Sequence, residues 1–517
     1  MTTISGAEAA LRIAASRGID LCIANPGTTE LDLVTALDRV PAIKPVLALA
    51  EGVCAGTADG FARIAGRPAL TLTHLGPGFA NSIANLHNAR RARSPVVNLI
   101  GDQASWHLAV DAPLTSDIES LARPVSAFYR KSARAEDLAG DMEAAIAAAV
   151  TAPGQVATLT LPADFQRAQV QAPTPEPRPA RLTLTAHSGA AVEDAAKRIR
   201  AARKTVLVAG GNGLSARGQA AAARIAKAIG GVAYAELFVG RADRGRGIPA
   251  LERFPYFPEA IAAAMKGVDL LVAAGTKPPV GFFGYEGYPS RPLPLEQTAI
   301  LAEPGADAEA ALEALAEALE APPLPVPDPA LPAVAEGALT PPAVAALLVR
   351  ALPENAIAMI EGSTCGVPFF NASPAAKRYT LLTNPAGGAI GMGLPAALGA
   401  ALAAPERRVV CLHSDGGAQY SVQALWSMAR QNAKVTVLIA ANRRYGILLG
   451  ELARAGINAP GPAAKALLDF TQPAPDWVAL AKGYGVPAER VADTVSLAAA
   501  LPRALAADSP HLLELAI

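Results

Sequence analysis

Short apolar runs alternate with longer Ala-rich stretches along most of this chain. Leu21-Cys22-Ile23, Val46-Leu47-Ala48-Leu49, Thr205-Val206-Leu207-Val208-Ala209, Ala356-Ile357-Ala358-Met359-Ile360 and Val435-Thr436-Val437-Leu438-Ile439 read as strands buried on both faces. Strands of that kind, separated by helical runs, predict layered α/β domains with parallel sheets. Two Pro-rich segments, residues 172–179 and 322–329 with an extension to Pro341-Pro342, read as stiff connectors. They divide the chain into three blocks, 1–170, 186–320 and 340–517, each expected to form a doubly wound parallel sheet. Residues 1–18 predict an amphipathic helix without a basic leader, so no signal peptide is expected. Residues 385–405 carry no charge and are long enough to span a bilayer, but Gly387, Gly388, Gly391, Gly393, Pro395 and Gly399 favour a buried loop and helix.

Composition narrows the partners. The 517 residues hold 45 Lys plus Arg and 45 Asp plus Glu, so no nucleic-acid or membrane partner is expected. Arg90-Arg91-Ala92-Arg93 reads as a solvated or interface helix face. The four cysteines lie singly, without metal or disulfide spacing, which suits a reducing cytoplasm.

The chemistry concentrates in the last block. Asp415 follows the strand-like Arg408-Val409-Val410-Cys411-Leu412, and Asn442 ends the next apolar run. Neighbouring strands of a parallel sheet bring such residues together at the carboxyl edge, where ligands bind. Two oxygen donors there suit Mg²⁺, which keeps few protein ligands and completes its shell with phosphate oxygens. An ordinary Asp-Gly turn beside a polar strand end is the plainer alternative.

Asp415-Gly416 and Asn442, with Tyr420, Gln423-Ala424-Leu425-Trp426 and Tyr445-Gly446-Ile447-Leu448, resemble the metal-diphosphate motif of thiamine diphosphate enzymes. The resemblance implies Mg²⁺ held by Asp415, Asn442 and the carbonyl of Arg444. One departure is Ser414, where the family has glycine. Glu51 resembles the family's proton-relay glutamate, which bonds a pyrimidine nitrogen of the cofactor. A carboxyl ending an apolar strand is partly desolvated and can retain a proton near neutrality. A glutamate capping the following helix is the structural alternative.

Asn25-Pro26-Gly27-Thr28, His74 and Gly76-Pro77-Gly78-Phe79-Ala80-Asn81 are similar to benzoylformate decarboxylases, as is Leu114-Thr115; acetolactate synthases carry Phe-Gln-Glu near that last position. The resemblance implies Glu51, His74 and Thr28 as catalytic residues. It implies cofactor contacts from Glu51, Pro26, Asn81, Ser363, Thr364, Gly388, Asp415, Gly416, Gly417, Asn442, Arg444, Tyr445, Gly446 and Ile447. Ile390 takes the place of the apolar wedge that bends the cofactor. Thr28, His74, Leu114, Ile447 and Leu448 would line the substrate pocket. The central block lacks a dinucleotide fingerprint at Gly210-Gly211-Asn212-Gly213, and FAD or a nucleotide stays open there. The loop Gly275-Thr276-Lys277 to Phe283 lacks the further histidine of benzoylformate decarboxylases.

The expectation is a ThDP- and Mg²⁺-dependent, cytoplasmic homodimer or homotetramer, with sites shared between subunits. Its activity would be 2-oxo acid decarboxylation with carboligation, acetolactate synthase-like, on a small substrate such as pyruvate, because branched Ile447 leaves little room. Decarboxylation of an aromatic 2-oxo acid, or a non-catalytic ThDP-binding subunit, are the alternatives.

Overall fold

The computed structural model describes residues 2–326 and 328–517. Met1 and Pro327, assigned from sequence to the first helix and the second connector, lie outside the described residues. Three parallel sheets organise the chain. The first has six strands in the order Lys44–Leu47, Leu21–Asn25, Ala69–His74, Val96–Asp102, Val156–Pro162 and Phe128–Lys131. The central sheet has five, in the order Glu252–Arg253, Val232–Ala235, Thr205–Ala209, Leu270–Ala274 and Thr298–Ala302. The third has seven, with Ala356–Glu361, Val409–Ser414 and Val435–Ala441 side by side at its middle. Valine, isoleucine and leucine dominate these strands because both of their faces are covered by helices.

Three local expectations change. The chain opens with a short strand, Thr3–Ser5, paired antiparallel to Gln169–Gln171, and the helix begins only at Gly6. Ser5 accepts from the Glu8 amide and so fixes that start. Arg241–Arg244, from the middle of the chain, leaves the central sheet and pairs antiparallel with Tyr379–Thr383 at the edge of the third. Glu51 does not end a strand: that strand stops at Leu47, and Glu51 is the first residue of the helix Glu51–Ala65. A carboxylate in a helix's first turn is favoured by the axial dipole, which the apolar run before it conceals.

The Glu51–Ala65 helix joins the first block to the last by packing on Gly393–Ala403. The two backbones approach so closely that a methyl group at Gly60 would lie 2.1 Å from the Ala396 carbonyl oxygen. One at Gly399 would lie 2.0 Å from that of Thr57. Beside this contact, the buried Arg63 guanidinium donates to Asp59 and to the Thr383 carbonyl at 2.8 Å. Among the described residues no helix is long and apolar enough to cross a membrane.

The close approach leaves neither backbone room to yield. Gly60→Ala or Gly399→Ala is expected to destabilise the protein by roughly 3 kcal/mol, the upper end for overpacking. Urea unfolding of each variant against the parent chain checks this; an unchanged midpoint would contradict the packing described.

Candidate functional site

Two clusters of chemistry-bearing side chains form at the carboxyl edges of the first and third sheets. In the first, Asn25 ends a strand and Thr28–Glu30 makes a helical turn. The Glu30 carboxylate is fully buried and accepts from the Gly27 amide at 2.9 Å and the Thr29 hydroxyl at 2.7 Å. Its Oε2 also lies 2.8 Å from His74 Nδ1. That contact fixes the ring's orientation and leaves Nε2 as the outward nitrogen. Gly27 has to be glycine, since a Cβ there would sit 2.3 Å from the His74 ring.

Thr28 is exposed, and the hydroxyl that approaches His74 Nδ1, at 3.1 Å, is that of Thr29. Glu51 is half-buried and receives Asn81 Nδ2 on Oε2 at 3.1 Å, while Oε1 faces Gly78. Asn81 and Glu51 are therefore partners. Leu114 is half-exposed with a left-handed backbone, φ 73°, and its neighbour Ser116 packs against Gly76, beside His74.

The second cluster starts from Asp415, first residue after the strand Val409–Ser414. Parallel pairing of Ser414 with Ala440 brings it level with the end of Val435–Ala441, so Asn442 follows alongside. Asp415 is buried; Oδ2 accepts from the Arg443 amide at 2.6 Å and Oδ1 from the Gly416 amide at 2.9 Å. Burial pushes its carboxyl above the ordinary range, and the two amides only partly oppose this. Asn442 Nδ2 reaches Thr364 Oγ1 at 3.4 Å, and its Oδ1 receives the Arg444 amide at 3.2 Å. The Arg444 carbonyl accepts from the Gly446 amide at 3.0 Å and keeps a second lone pair.

Ser414 sits in extended backbone, φ −76°, which serine adopts without strain. The need for glycine has moved to its neighbours: Cβ atoms on Gly362 and Gly417 would come within 2.9 and 2.8 Å of the Ser414 side chain. Tyr445 and Phe470, with ring centroids 5.2 Å apart, cover Gly416. Gly388, by contrast, has open space beside it and a left-handed φ of 70°.

Beneath this surface lies a pair that the sequence did not reveal. Buried Glu361 accepts from the Gly391 amide at 2.5 Å and the Gly393 amide at 2.6 Å, with His413 Nε2 3.3 Å away. Burial alone would raise the Glu361 carboxyl; His413 and the two amides outweigh it and hold it below the usual carboxylate range. Glu361 thus anchors the backbone on the far side of Ile390. Asn88, from the first block, holds the near side through both the amide and the carbonyl of Ala389. Ile390 itself is 44% exposed, so it is not a core residue.

Among the described residues no group of three or more His, Cys, Asp or Glu could hold a metal alone. The donors at Asp415 and Asn442 nevertheless fit a hard cation that brings phosphate oxygens with it. Thr364 and Gly446 lie against Asn442 and Tyr445 against Gly416, while Ser363, Ile390, Ile447 and Leu448 stand at exposed positions. No hydrogen bond or ion pair among the described residues joins Glu51, His74 or Thr28 to Asp415 or Asn442.

The central sheet's carboxyl edge differs. Glu236 fills it, receiving Thr276 Oγ1 at 2.7 Å and facing the Gly211 amide at 3.4 Å. A Cβ on Gly210 would lie 2.7 Å from the Glu236 carboxyl carbon. Burial pushes the Glu236 carboxyl above its ordinary range, and its side chain occupies the space beside the glycine turn.

Comparison with known proteins agrees with the two-cluster geometry. Residues 4–121 match the thiamine pyrophosphate enzyme N-terminal TPP binding domain, and residues 365–515 the C-terminal TPP binding domain. A Mycobacterium tuberculosis protein named "Putative acetolactate synthase large subunit IlvX" is 44% identical over 99% of both chains. Benzoylformate decarboxylase of Pseudomonas aeruginosa is 32% identical over 98% of both. The solved thiamine diphosphate-dependent 4-hydroxybenzoylformate decarboxylase of Rhodococcus jostii superposes with a TM-score of 0.84 at 27% identity, covering 99% of each chain.

Asp415→Asn keeps the shape of the strand end and removes its charge. It is expected to weaken Mg²⁺-dependent retention of thiamine diphosphate by at least ~10-fold. Equilibrium dialysis of the cofactor with and without EDTA measures this; equal retention by the variant would remove Asp415 from the metal site.

Proposed function

The chain belongs to the thiamine diphosphate-dependent enzymes, and from that premise we propose that it decarboxylates a small 2-oxo acid and joins the remainder to a second carbonyl compound, as an acetolactate synthase does. The observation that carries this reading is the strand-end pair Asp415 and Asn442, brought level at the carboxyl edge of the third sheet by the pairing of Ser414 with Ala440. Thiamine diphosphate, when bound, supplies a nucleophilic carbon that adds to the ketone and takes up the electron pair left as carbon dioxide departs.

The protein's part is to hold, orient and exchange protons. Asp415, Asn442 and the Arg444 carbonyl would hold Mg²⁺, with Ser363, Thr364 and the Gly417 backbone beside the diphosphate. Gly388 and Ile390 would fix the bent shape, their loop held between Asn88 and Glu361. Glu51, steadied by Asn81, keeps Oε1 available to hold or pass a proton at the pyrimidine. Pro26 would border the same ring. His74, its Nδ1 engaged by Glu30, offers Nε2 to the substrate, with Thr28 beside it to orient the carboxylate.

A branched side chain at Ile447, with Leu448 and Leu114, would favour a small substituent such as that of pyruvate. A second reading is decarboxylation of an aromatic 2-oxo acid, supported by the ordered Glu30–His74 pair and by the benzoylformate-type relatives. A non-catalytic ThDP-binding subunit fits less well, because the Glu51–Asn81 pair and the Asp415–Asn442 strand ends are both intact. We read the central block as free of flavin, on the strength of Glu236.

The proposed site is shared between subunits, with Glu51 of one copy facing the diphosphate cluster of another. Sedimentation with ThDP and Mg²⁺ is expected to find a dimer or tetramer; a fully active monomer would refute the shared site.

Carbon dioxide release is the direct assay, with pyruvate and phenylglyoxylate supplied separately, with and without an aldehyde acceptor. Acetolactate or acetoin from pyruvate is the expected product, and benzaldehyde from phenylglyoxylate would establish the second reading. Release from neither, with cofactor bound, would refute both. Glu51→Gln is expected to lower turnover by at least ~100-fold, within the range for a lost proton-transfer group, while leaving the circular dichroism spectrum unchanged.

A further inference from the structure

The helix Gly446–Arg454 carries Ile447 and Leu448, yet none of its residues is buried. With Leu449 and Leu452 only half-buried and no core residue, packing contributes little to this helix and its ends matter the more. Its first end is secured within the third block: the Tyr445 amide donates to the Leu468 carbonyl at 2.9 Å, and the Tyr445 ring packs on Phe470. The other end is secured by one side chain. Arg454 Nη2 donates to both Glu259 oxygens, at 2.7 and 2.9 Å, on the helix Pro258–Met265 of the central block. Its guanidinium carbon lies 4.5 Å from the Phe257 ring centroid and 5.2 Å from that of Tyr285. Nη1 takes Glu451 Oε2 at 2.9 Å, one turn back along the same helix.

Ile447 and Arg454 are spaced by about two helical turns and therefore share a stripe of the helix surface. Whatever holds Arg454 toward the central block turns Ile447 the same way. An exposed ion pair alone contributes little, but a guanidinium that also lies over the Phe257 and Tyr285 rings and bonds Glu451 is restrained in both distance and orientation.

We infer that Arg454 is a positioning residue, a clasp to Glu259, Phe257 and Tyr285 that sets how far the Ile447–Leu448 wall stands from the central block and so sizes the substrate pocket. This rests on the reading that Ile447 and Leu448 wall that pocket. The central block, which holds none of the cofactor-binding residues, then acts on specificity through this contact. The aromatic segment from Tyr285 to Phe257 is the surface against which the wall is set.

The test uses full-length holoenzyme and a series of 2-oxo acids from pyruvate to phenylglyoxylate. Arg454→Ala and Glu259→Ala are each expected to raise kcat/KM for the bulkier acids relative to pyruvate by about 5-fold, mainly through KM, with ThDP affinity unchanged. The charge-swapped pair Arg454→Glu with Glu259→Arg is expected to recover part of the parent preference. Ile447→Ala is expected to shift the same ratio, and its combination with Arg454→Ala to shift it less than the two singly would sum to. Amide hydrogen exchange over residues 446–454, which needs no substrate, is expected to quicken about 10-fold in Arg454→Ala.

A shift from Ile447→Ala with none from Arg454→Ala overturns the clasp and leaves the wall standing. No shift from either overturns the wall and the clasp with it. A shift from Arg454→Ala alone, or full additivity, shows Arg454 acting by another route and overturns the inference. Unchanged exchange overturns it without reference to any substrate.

Discussion

The arrangement of the candidate site depends on one steric constraint, the close crossing of helices Glu51–Ala65 and Gly393–Ala403. Neither helix could approach the other so nearly with side chains at Gly60 and Gly399. The crossing fixes two starting points at once. Glu51 is the first residue of one helix, and the Ile390 loop leads directly into the other. The Arg63 bond to the Thr383 carbonyl and the Asn88 bonds to Ala389 brace the same junction. A shift of one helix would therefore displace both Glu51, proposed as the relay carboxylate, and the loop proposed to wedge the cofactor. Asp59, Arg63 and Asn88 are paired there, while the buried Thr57 hydroxyl has no hydrogen-bond partner among the described residues.

Three buried carboxylates do different work because their surroundings differ. Glu30 is saturated by an amide, a hydroxyl and an imidazole, so it can orient His74 but has little capacity left for a ligand. Glu361 is likewise satisfied, by two amides and His413, and its negative charge is balanced within the protein. Asp415 receives only two amides and no cationic side chain. Its raised proton affinity records an anion whose compensation is incomplete. A cation arriving from solution would supply the missing term. Glu236, whose carboxyl burial also raises, differs in position, since it lies against the glycine turn of the central block.

Much of this was legible in the sequence wherever a short segment carries its own geometry. Asp415 and Asn442 stand at strand ends because the apolar runs before them define those strands, and the parallel α/β class follows from the alternation of runs. The glycine turns at Gly27 and Gly417 were visible too, although what they accommodate, His74 and Ser414, was not. Glu361 with His413, Glu30 with His74 and Arg454 with Glu259 pair across long stretches of chain, which no local pattern announces. The strand before Glu51 was overextended because an apolar run does not mark where pairing stops. Arg241–Arg244, inside the block 186–320, pairs with Tyr379–Thr383 of the third sheet, and no local pattern announces a partner that comes so much later in the chain.

The division of labour between buried and exposed parts has a physical cause. Groups that handle charge need fixed positions in a medium of low polarity, and these sit at the ends of strands covered on both faces. Groups that choose a substrate need only shape, and Ile447 and Leu448, proposed above to wall the substrate pocket, stand on a helix with no buried residue. Changes there cost little folding free energy, because no core packing is disturbed. A wall placed on such an element can vary while Asp415, Asn442 and Glu51 remain where the sheets put them. Relatives named for an acetolactate synthase subunit and for decarboxylases of aromatic acids can therefore share one scaffold, since what distinguishes their substrates need not touch what binds their cofactor.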